Sequence, residues 1–242
     1  MSAHEQNTDR SEWAGCVFTA LRVLLVIFAG QLLGEGWDKP QWIMWMILIS
    51  GGLLIPIGSA CLGTSSRRLF GGMLAFSMTL VLFQALIRPV GRESTLLAAA
   101  WLVWCMLFAL ISCLSLLKEP LRDAGWLCRV AAAISPIVGA AWLVAHRANW
   151  MPLGFDPLIV LLTAAHFHHA GFTLPLMAGL NARSHPGWWT SSSCVAVLAG
   201  VPLVASGITC THLGLGGVFA NGTHFLQGWC RAEVERLPCS TN

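Results

Sequence analysis

The sequence predicts an all-α protein, a polytopic transmembrane bundle of about seven helices. Hydrophobic residues make up 56% of the 242-residue chain and charged residues only 10%, whereas a soluble domain usually carries about 25% charged residues. Seven apolar runs are each close to the ~20 residues that cross a bilayer as a helix. Because a sheet with an open edge cannot lie in lipid, each span must be helical.

The predicted spans follow one another with short connections. They are Trp13–Leu33, Gln41–Leu62, Leu69–Ile87, Ser94–Leu117, Ala124–Ala145, Pro157–Leu180 and Ser191–Thr211. Short connections place successive helices antiparallel within one bundle. Three regions follow: a polar N-terminal segment (1–12), the transmembrane bundle (13–211), and a C-terminal segment (212–242) with a short helix as one option and a polar tail.

The distribution of basic residues predicts a multi-pass protein of the cell membrane with a cytoplasmic N-terminus. Cytoplasmic loops carry an excess of lysine and arginine. The side of the N-terminus holds Arg10, Arg67, Arg68, Lys118, Arg122 and Arg183, and the other side holds Lys39, Arg88, Arg92 and Arg147. No basic cluster indicates nucleic acid, so the predicted partners are membrane lipid and an apolar small-molecule substrate.

Tryptophan and cysteine are both unusually frequent. The chain has 12 tryptophans and no tyrosine, so tryptophan is expected to form the aromatic belt at the membrane interfaces. Trp13, Trp37, Trp42, Trp101, Trp126, Trp150, Trp188 and Trp189 are predicted near span ends. The nine cysteines include no C-x-x-C pair, which excludes zinc-ribbon and thioredoxin-like motifs. Most are predicted to be buried, inert thiols, while Cys230 and Cys239 could pair in an oxidising compartment.

Three histidines in the sixth predicted span are the main functional candidates. His166, His168 and His169 lie within an apolar run, and titratable side chains at such depth are costly and rare without a task. Histidine can give or take a proton near neutral pH. We therefore predict that His166 and His168 act as proton donor or acceptor, with Thr163 and Arg22 orienting them.

A metal site is an alternative for the same cluster. Successive residues of a helix are turned by about 100°, so His166 and His169 share a face and could bind one metal ion together, whereas His168 points away. Further ligands would have to come from His146, His212 or His224. A third option is that the imidazoles only form hydrogen bonds between helices. The leading hypothesis requires no cofactor.

The missing motifs narrow the possible reactions. The chain has no G-x-S-x-G, Walker-type loop or H-E-x-x-H. These motifs usually identify serine hydrolases, ATPases and zincins, so the sequence does not support those classes. The leading hypothesis is an intramembrane enzyme acting on a lipid or isoprenoid-like substrate by proton transfer, of the cyclase or isomerase type. An apolar, tryptophan-rich cavity could stabilise a carbocation-like state by cation–π contact. The alternatives are a proton- or metal-relaying transporter and a non-catalytic membrane assembly subunit.

The residues around the histidines resemble the signature of a known family. Thr163, His166, Phe167 and His168 form a T-x-x-H-F-H run that is followed by Ala170, Gly171 and Phe172. This run is similar to the motif of the YndJ-like family of bacterial membrane proteins. In that pattern an aromatic residue is usual where this chain has His169. The resemblance implies a multi-pass membrane protein and no particular reaction.

Overall fold

The computed structural model describes residues 19–27, 39–62, 68–119 and 123–212, and all regular elements in these ranges are helical. The α-helices are α1 (19–27), α2 (Lys39–Ile49), α3 (Ile55–Cys61), α4 (Arg68–Ile87), α5 (Arg92–Leu116), α6 (Ala124–Arg147), α7 (Pro157–Ser184) and α8 (Trp188–His212). A π-helical turn, Ser50–Leu54, joins α2 to α3, and a 3₁₀ turn, Pro152–Gly154, precedes α7. The predicted all-α class is therefore confirmed.

Several of these helices can cross a membrane. Five are long and apolar enough within the described ranges: Gln41–Ser59, Arg92–Leu116, Ala124–Arg147, Pro157–Ser184 and Trp188–His212. They correspond to five of the seven predicted spans. In α4 the apolar stretch Leu74–Ile87 is shorter, and of the first predicted span the structure describes residues 19–27. The N-terminal segment, residues 213–242 and the pair Cys230 and Cys239 lie outside the described residues.

Aspartate caps begin the two central helices. The Asp123 carboxylate accepts a hydrogen bond from the Trp126 backbone N–H at 2.7 Å, at the start of α6. Asp156 accepts one from Leu158 at 2.8 Å, at the start of α7. The first backbone N–H groups of a helix have no partner within it, so a side-chain oxygen just before the helix satisfies them. α6 packs against α5 and α7, and α7 also packs against α2, the π-turn and α3.

A buried arginine closes one end of the bundle. The Arg147 guanidinium, at the end of α6, donates hydrogen bonds to the carbonyl oxygens of Leu86 at 2.8 Å and Arg88 at 3.3 Å. The carbonyl oxygen of Arg147 accepts a hydrogen bond from the Gly91 N–H at 3.1 Å. The last carbonyls of a helix lack partners within it. Arg147 therefore supplies the C-terminal end of α4 with hydrogen bonds and connects α4 to α6.

A second buried arginine lies at the opposite end of α6. Arg129 is 4% exposed, and its guanidinium donates two hydrogen bonds to the Glu119 carboxylate, at 2.7 and 2.6 Å. Arg183, near the end of α7, approaches the same carboxylate at 3.5 Å. The hydrogen bond from Arg129 lowers the pKa of Glu119 below its ordinary value. One carboxylate thus joins α6 and α7 beside the loop that follows α5.

The chain divides into two compact units, and the boundary between them lies within α8. One unit comprises residues 1–199 and the other residues 200–242. In the first unit a large apolar core involves α1 to α7, and Cys128, Ala182 and Cys194 form a small separate cluster. Cys194 is the buried residue of α8 among those described.

Candidate functional site: the histidine cluster of α7

His168 lies at the centre of the core and is fully buried. The indole N–H of Trp101 in α5 donates a hydrogen bond to His168 Nε2 at 2.9 Å. His168 Nδ1 lies 2.8 Å from the carbonyl oxygen of Ala164. Because a carbonyl can only accept, Nδ1 must carry the hydrogen, and the imidazole is the neutral Nδ1–H tautomer. Both ring nitrogens are therefore satisfied by the protein itself.

The position of Trp101 corrects one prediction. Trp101 was expected in the interfacial belt, but its side chain is 0% exposed. Its ring stacks on Trp104 with centroids 4.8 Å apart, and its N–H bonds to His168, so a buried partner replaces interfacial water. Trp150, Trp188 and Trp189 are exposed at helix ends, where the belt prediction places them. Trp101 lies well inside its predicted span, and this depth was the available signal.

His169 contacts the π-turn. The Ser50 hydroxyl donates to the carbonyl oxygen of Met46 at 2.7 Å and lies 3.0 Å from His169 Nδ1. A hydroxyl has one hydrogen, so the Ser50 oxygen accepts the second hydrogen bond from the Nδ1–H of His169. Sequence reasoning missed Ser50, because no local pattern predicts a π-turn or a contact between distant helices. Such turns often occur at functional sites.

The segment α2–α3 and helix α7 run in the same direction. Ser50 contacts His169, and further along both segments Gly58 packs closely against Phe172 and Leu176. His166 lies one turn before His169, and Met46 lies one turn before Ser50. His166 is therefore level with Met46.

His166 differs from its two neighbours in its hydrogen bonding. Its side chain is half-buried, and its ring meets Phe167 edge-on with centroids 5.6 Å apart. Its Nε2 atom is buried and has no hydrogen-bond partner among the described residues. A buried nitrogen of this kind is costly to leave without a partner.

An open groove lies along α2 at the level of Met46. It has a volume of about 350 Å³ and is lined by Trp42, Trp45, Met46 and Ile49. All four side chains are apolar or aromatic. None of the three histidines lines this groove in the described structure. Met46 connects the groove to the cluster, because its carbonyl oxygen accepts the Ser50 hydrogen bond.

The other predicted site residues have local partners. The Thr163 hydroxyl donates to the carbonyl oxygen of Ile159 at 2.8 Å rather than to an imidazole. Arg22 is buried, and its guanidinium donates to the Thr19 hydroxyl at 3.3 Å. The structure thus places Thr163 beside the cluster without showing that it orients a ring.

The metal hypothesis finds no third ligand in the described ranges. There, no group of three or more histidine, cysteine, aspartate or glutamate side chains could hold an ion. His166 and His169 share the predicted face, but Nδ1 of His169 is already bonded to Ser50. His224 lies outside the described residues. A metal bound by His166 and His169 stays a prediction.

Replacing Trp101 with phenylalanine should lower the free energy of unfolding by about 1 to 3 kcal/mol. The change removes the N–H donor and leaves His168 Nε2 buried without a partner. Trp104→Phe on the same helix is the matched control, because it removes an indole that stacks on Trp101 and leaves the hydrogen bond to His168 in place. The free energy of unfolding of both variants is measured in mixed micelles. If both variants lost the same amount of free energy, the special role of the Trp101 hydrogen bond would be contradicted.

Fold and site together define a multi-pass membrane protein with a hydrogen-bonded histidine cluster in one of its candidate spans. The YndJ-like protein family model matches residues 53–220. This match covers more than half of the chain, so the chain belongs to the YndJ-like family, as the motif indicated.

Comparison with individual proteins adds one informative relative. The uncharacterized membrane protein YndJ of Bacillus subtilis (strain 168) is 38% identical over 74 residues. The aligned part covers 29% of this chain and 13% of the relative, so the chain corresponds to a small part of the relative's length. No solved structure matches the chain.

Proposed function

We propose that this YndJ-like protein binds a lipid or isoprenoid-like molecule beside α7 and exchanges a proton with it at His166. The observation that carries the proposal is the buried Nε2 of His166, which has no partner within the described part of the chain. His168 and His169 already have protein partners. A ligand with one hydroxyl donor would satisfy His166 Nε2 and recover the free energy lost by its burial.

The neighbouring groove suits the apolar part of such a ligand. The described residues that line it are Trp42, Trp45, Met46 and Ile49, so an acyl or isoprenoid chain would bury apolar surface there. The indole faces would also attract a cationic intermediate. Since His166 is level with Met46, a chain in the groove could place its polar end near the imidazole.

In this proposal His168 holds the site in position and does not react. A second proton on its Nε2 would face the N–H of Trp101, so His168 could accept one only by breaking that bond. His169 and Ser50 fix the rotation of α7 relative to the π-turn. The proton-transfer role predicted for the cluster is therefore assigned to His166 alone.

The binding step is tested with farnesol carrying a photoactivatable diazirine. Wild-type protein in lipid nanodiscs should be labelled on α2, and His166→Ala should reduce labelling about tenfold, the effect of ~1.4 kcal/mol of lost binding free energy. His185→Ala is the matched control, because His185 is exposed at the end of the same helix. Undiminished labelling of His166→Ala, or labelling remote from α2, would refute the binding site.

The proton-transfer step needs a separate measurement. In deuterated water, His166 should donate a deuteron to a double bond of bound farnesol and then take a proton from the adjacent carbon of the resulting cation, so that the restored alkene carries deuterium. His166→Gln keeps a hydrogen-bonding side chain but cannot serve as a general base, so binding should persist while exchange is lost. Exchange that continues at the wild-type rate in this variant would assign proton transfer to another group.

A further inference from the structure

Two buried cysteines from different helices meet at the edge of the bundle. Cys128 lies near the start of α6 and Cys194 near the start of α8, and both are fully buried. Cys128 Sγ is 3.5 Å from the carbonyl oxygen of Cys194, and Cys194 Sγ is 3.5 Å from the carbonyl oxygen of Ala178. Each thiol hydrogen is thus directed to a backbone carbonyl of α7 or α8.

Small neighbouring residues allow the two cysteines to approach each other, and the contact between them holds the start of α8. Cys128 and Cys194 share their small cluster with Ala182, whose short side chain lets α8 reach the pair of central helices. Cys194 is the buried residue of α8 among those described. The contact that secures the first part of α8 is therefore centred on a pair of thiols. Cys105 of α5 lies in the large apolar core instead, and Cys113 packs against that core.

We propose that Cys128 and Cys194 are a reversible oxidation site, at which a peroxide converts the two thiols into a disulfide joining α6 to α8. One thiol loses its proton, and its sulfur attacks a peroxide oxygen. The O–O bond breaks, leaving a sulfenic acid and an alcohol or water. The second sulfur then attacks the first, the S–S bond forms and water leaves. Two thiols are oxidised and one peroxide is reduced by two electrons.

The environment is compatible with both states of the pair. A disulfide requires the two residues to lie with backbones close together, and the Cys128 sulfur already lies against the Cys194 backbone. A disulfide has no S–H donor, so its burial leaves no donor unsatisfied. Since few buried groups hold the start of α8, local separation of the helix can admit a small oxidant. Larger thiol reagents remain excluded while the pair is packed.

To test this, the protein in membranes is treated with hydrogen peroxide. The oxidation state of each cysteine is then determined by alkylation and mass spectrometry. We expect a cross-linked peptide containing Cys128 and Cys194. Its mass should be two hydrogen atoms below the sum of the two separate thiol peptides, and dithiothreitol should convert it back to them. Cys128→Ser and Cys194→Ser should each abolish it. Cys105→Ser, which removes a buried thiol elsewhere, should leave it unchanged.

Two outcomes would overturn the proposal. One is that Cys128 and Cys194 stay reduced under conditions that oxidise the half-buried Cys113. The other is that either thiol advances to a sulfinic acid without forming the cross-link. If a serine variant is poorly folded, the wild-type protein still decides, because the cross-linked peptide is identified directly. Hydrogen exchange of residues 188–199 provides a second readout and should slow on oxidation.

Discussion

Replacing Gly139 with alanine is expected to lower the free energy of unfolding by about 3 kcal/mol. The new methyl group would overlap Nδ1 of His168 and lie 2.9 Å from its Cε1 and 3.0 Å from the carbonyl oxygen of Ala164. His168 cannot turn away without losing its hydrogen bonds to Trp101 and Ala164. Overpacking typically costs 1–3 kcal/mol, and each broken hydrogen bond adds about 1 kcal/mol.

Two other glycines give graded controls for this experiment. A methyl group at Gly171 would lie 3.2 Å from Ser135 Cβ, which a small shift can relieve, and one at Gly187 would meet no atom within 4 Å. Unfolding in mixed micelles should therefore rank Gly139→Ala as most damaging, Gly171→Ala as mild and Gly187→Ala as neutral. If Gly139→Ala behaved like Gly187→Ala, the tight packing of His168 against α6 would be refuted.

Replacing Glu119 with glutamine is expected to cost about 3 kcal/mol of stability. Arg129 is 4% exposed and Glu119 is 29% exposed, so the variant would leave a buried guanidinium without its counter-ion. Removing one partner of a buried ion pair typically costs 3–5 kcal/mol. We take the lower end, because Glu119 is partly open to solvent. Glu93→Gln is the control, since its ion pair with Arg88 is exposed, and should change stability by less than ~1 kcal/mol.

The same ion pair predicts a dependence of stability on pH. Because the hydrogen bond from Arg129 lowers the pKa of Glu119 below its ordinary value of 4.5, folding favours the carboxylate form. This contribution is fully present above that ordinary value and is lost as the pH falls through the lower pKa of the folded state. Melting temperatures measured downward from pH 6 should show the loss in the wild type. A parallel loss in Glu119→Gln would assign the effect to other carboxyl groups.

The spans could be predicted from the sequence because crossing a bilayer imposes a length and a composition. The predicted Ala124–Ala145 and Ser94–Leu117 agree closely with α6 (Ala124–Arg147) and α5 (Arg92–Leu116). The family was also predictable, because the T-x-x-H-F-H run is contiguous. A role for His166 was predicted from three histidines close together in an apolar run, and the structure adds that its Nε2 has no partner among the residues it describes.

Contacts between distant segments were not predictable in this way. Trp101 and His168 are 67 positions apart, and Ser50 and His169 are 119 apart. A helical periodicity shows which face is apolar but does not name the residue on the opposite helix. Lipid-facing and core-facing positions are also both apolar in a membrane helix, which hides the inward face. For the same reason Cys128 and Cys194 resembled any other pair of apolar thiols.

The π-turn Ser50–Leu54 lets buried residues that are spaced four positions apart stay on one side of their helix. Ile43, Ile47, Gly51 and Ile55 are all buried, and each lies four positions after the last. In an uninterrupted α-helix every such step would drift by about 40°, and the fourth member would have turned well away from the first. The wider turn accommodates one additional residue and cancels part of this drift. The second predicted span can thus keep these four positions buried although their spacing does not fit the α-helical period.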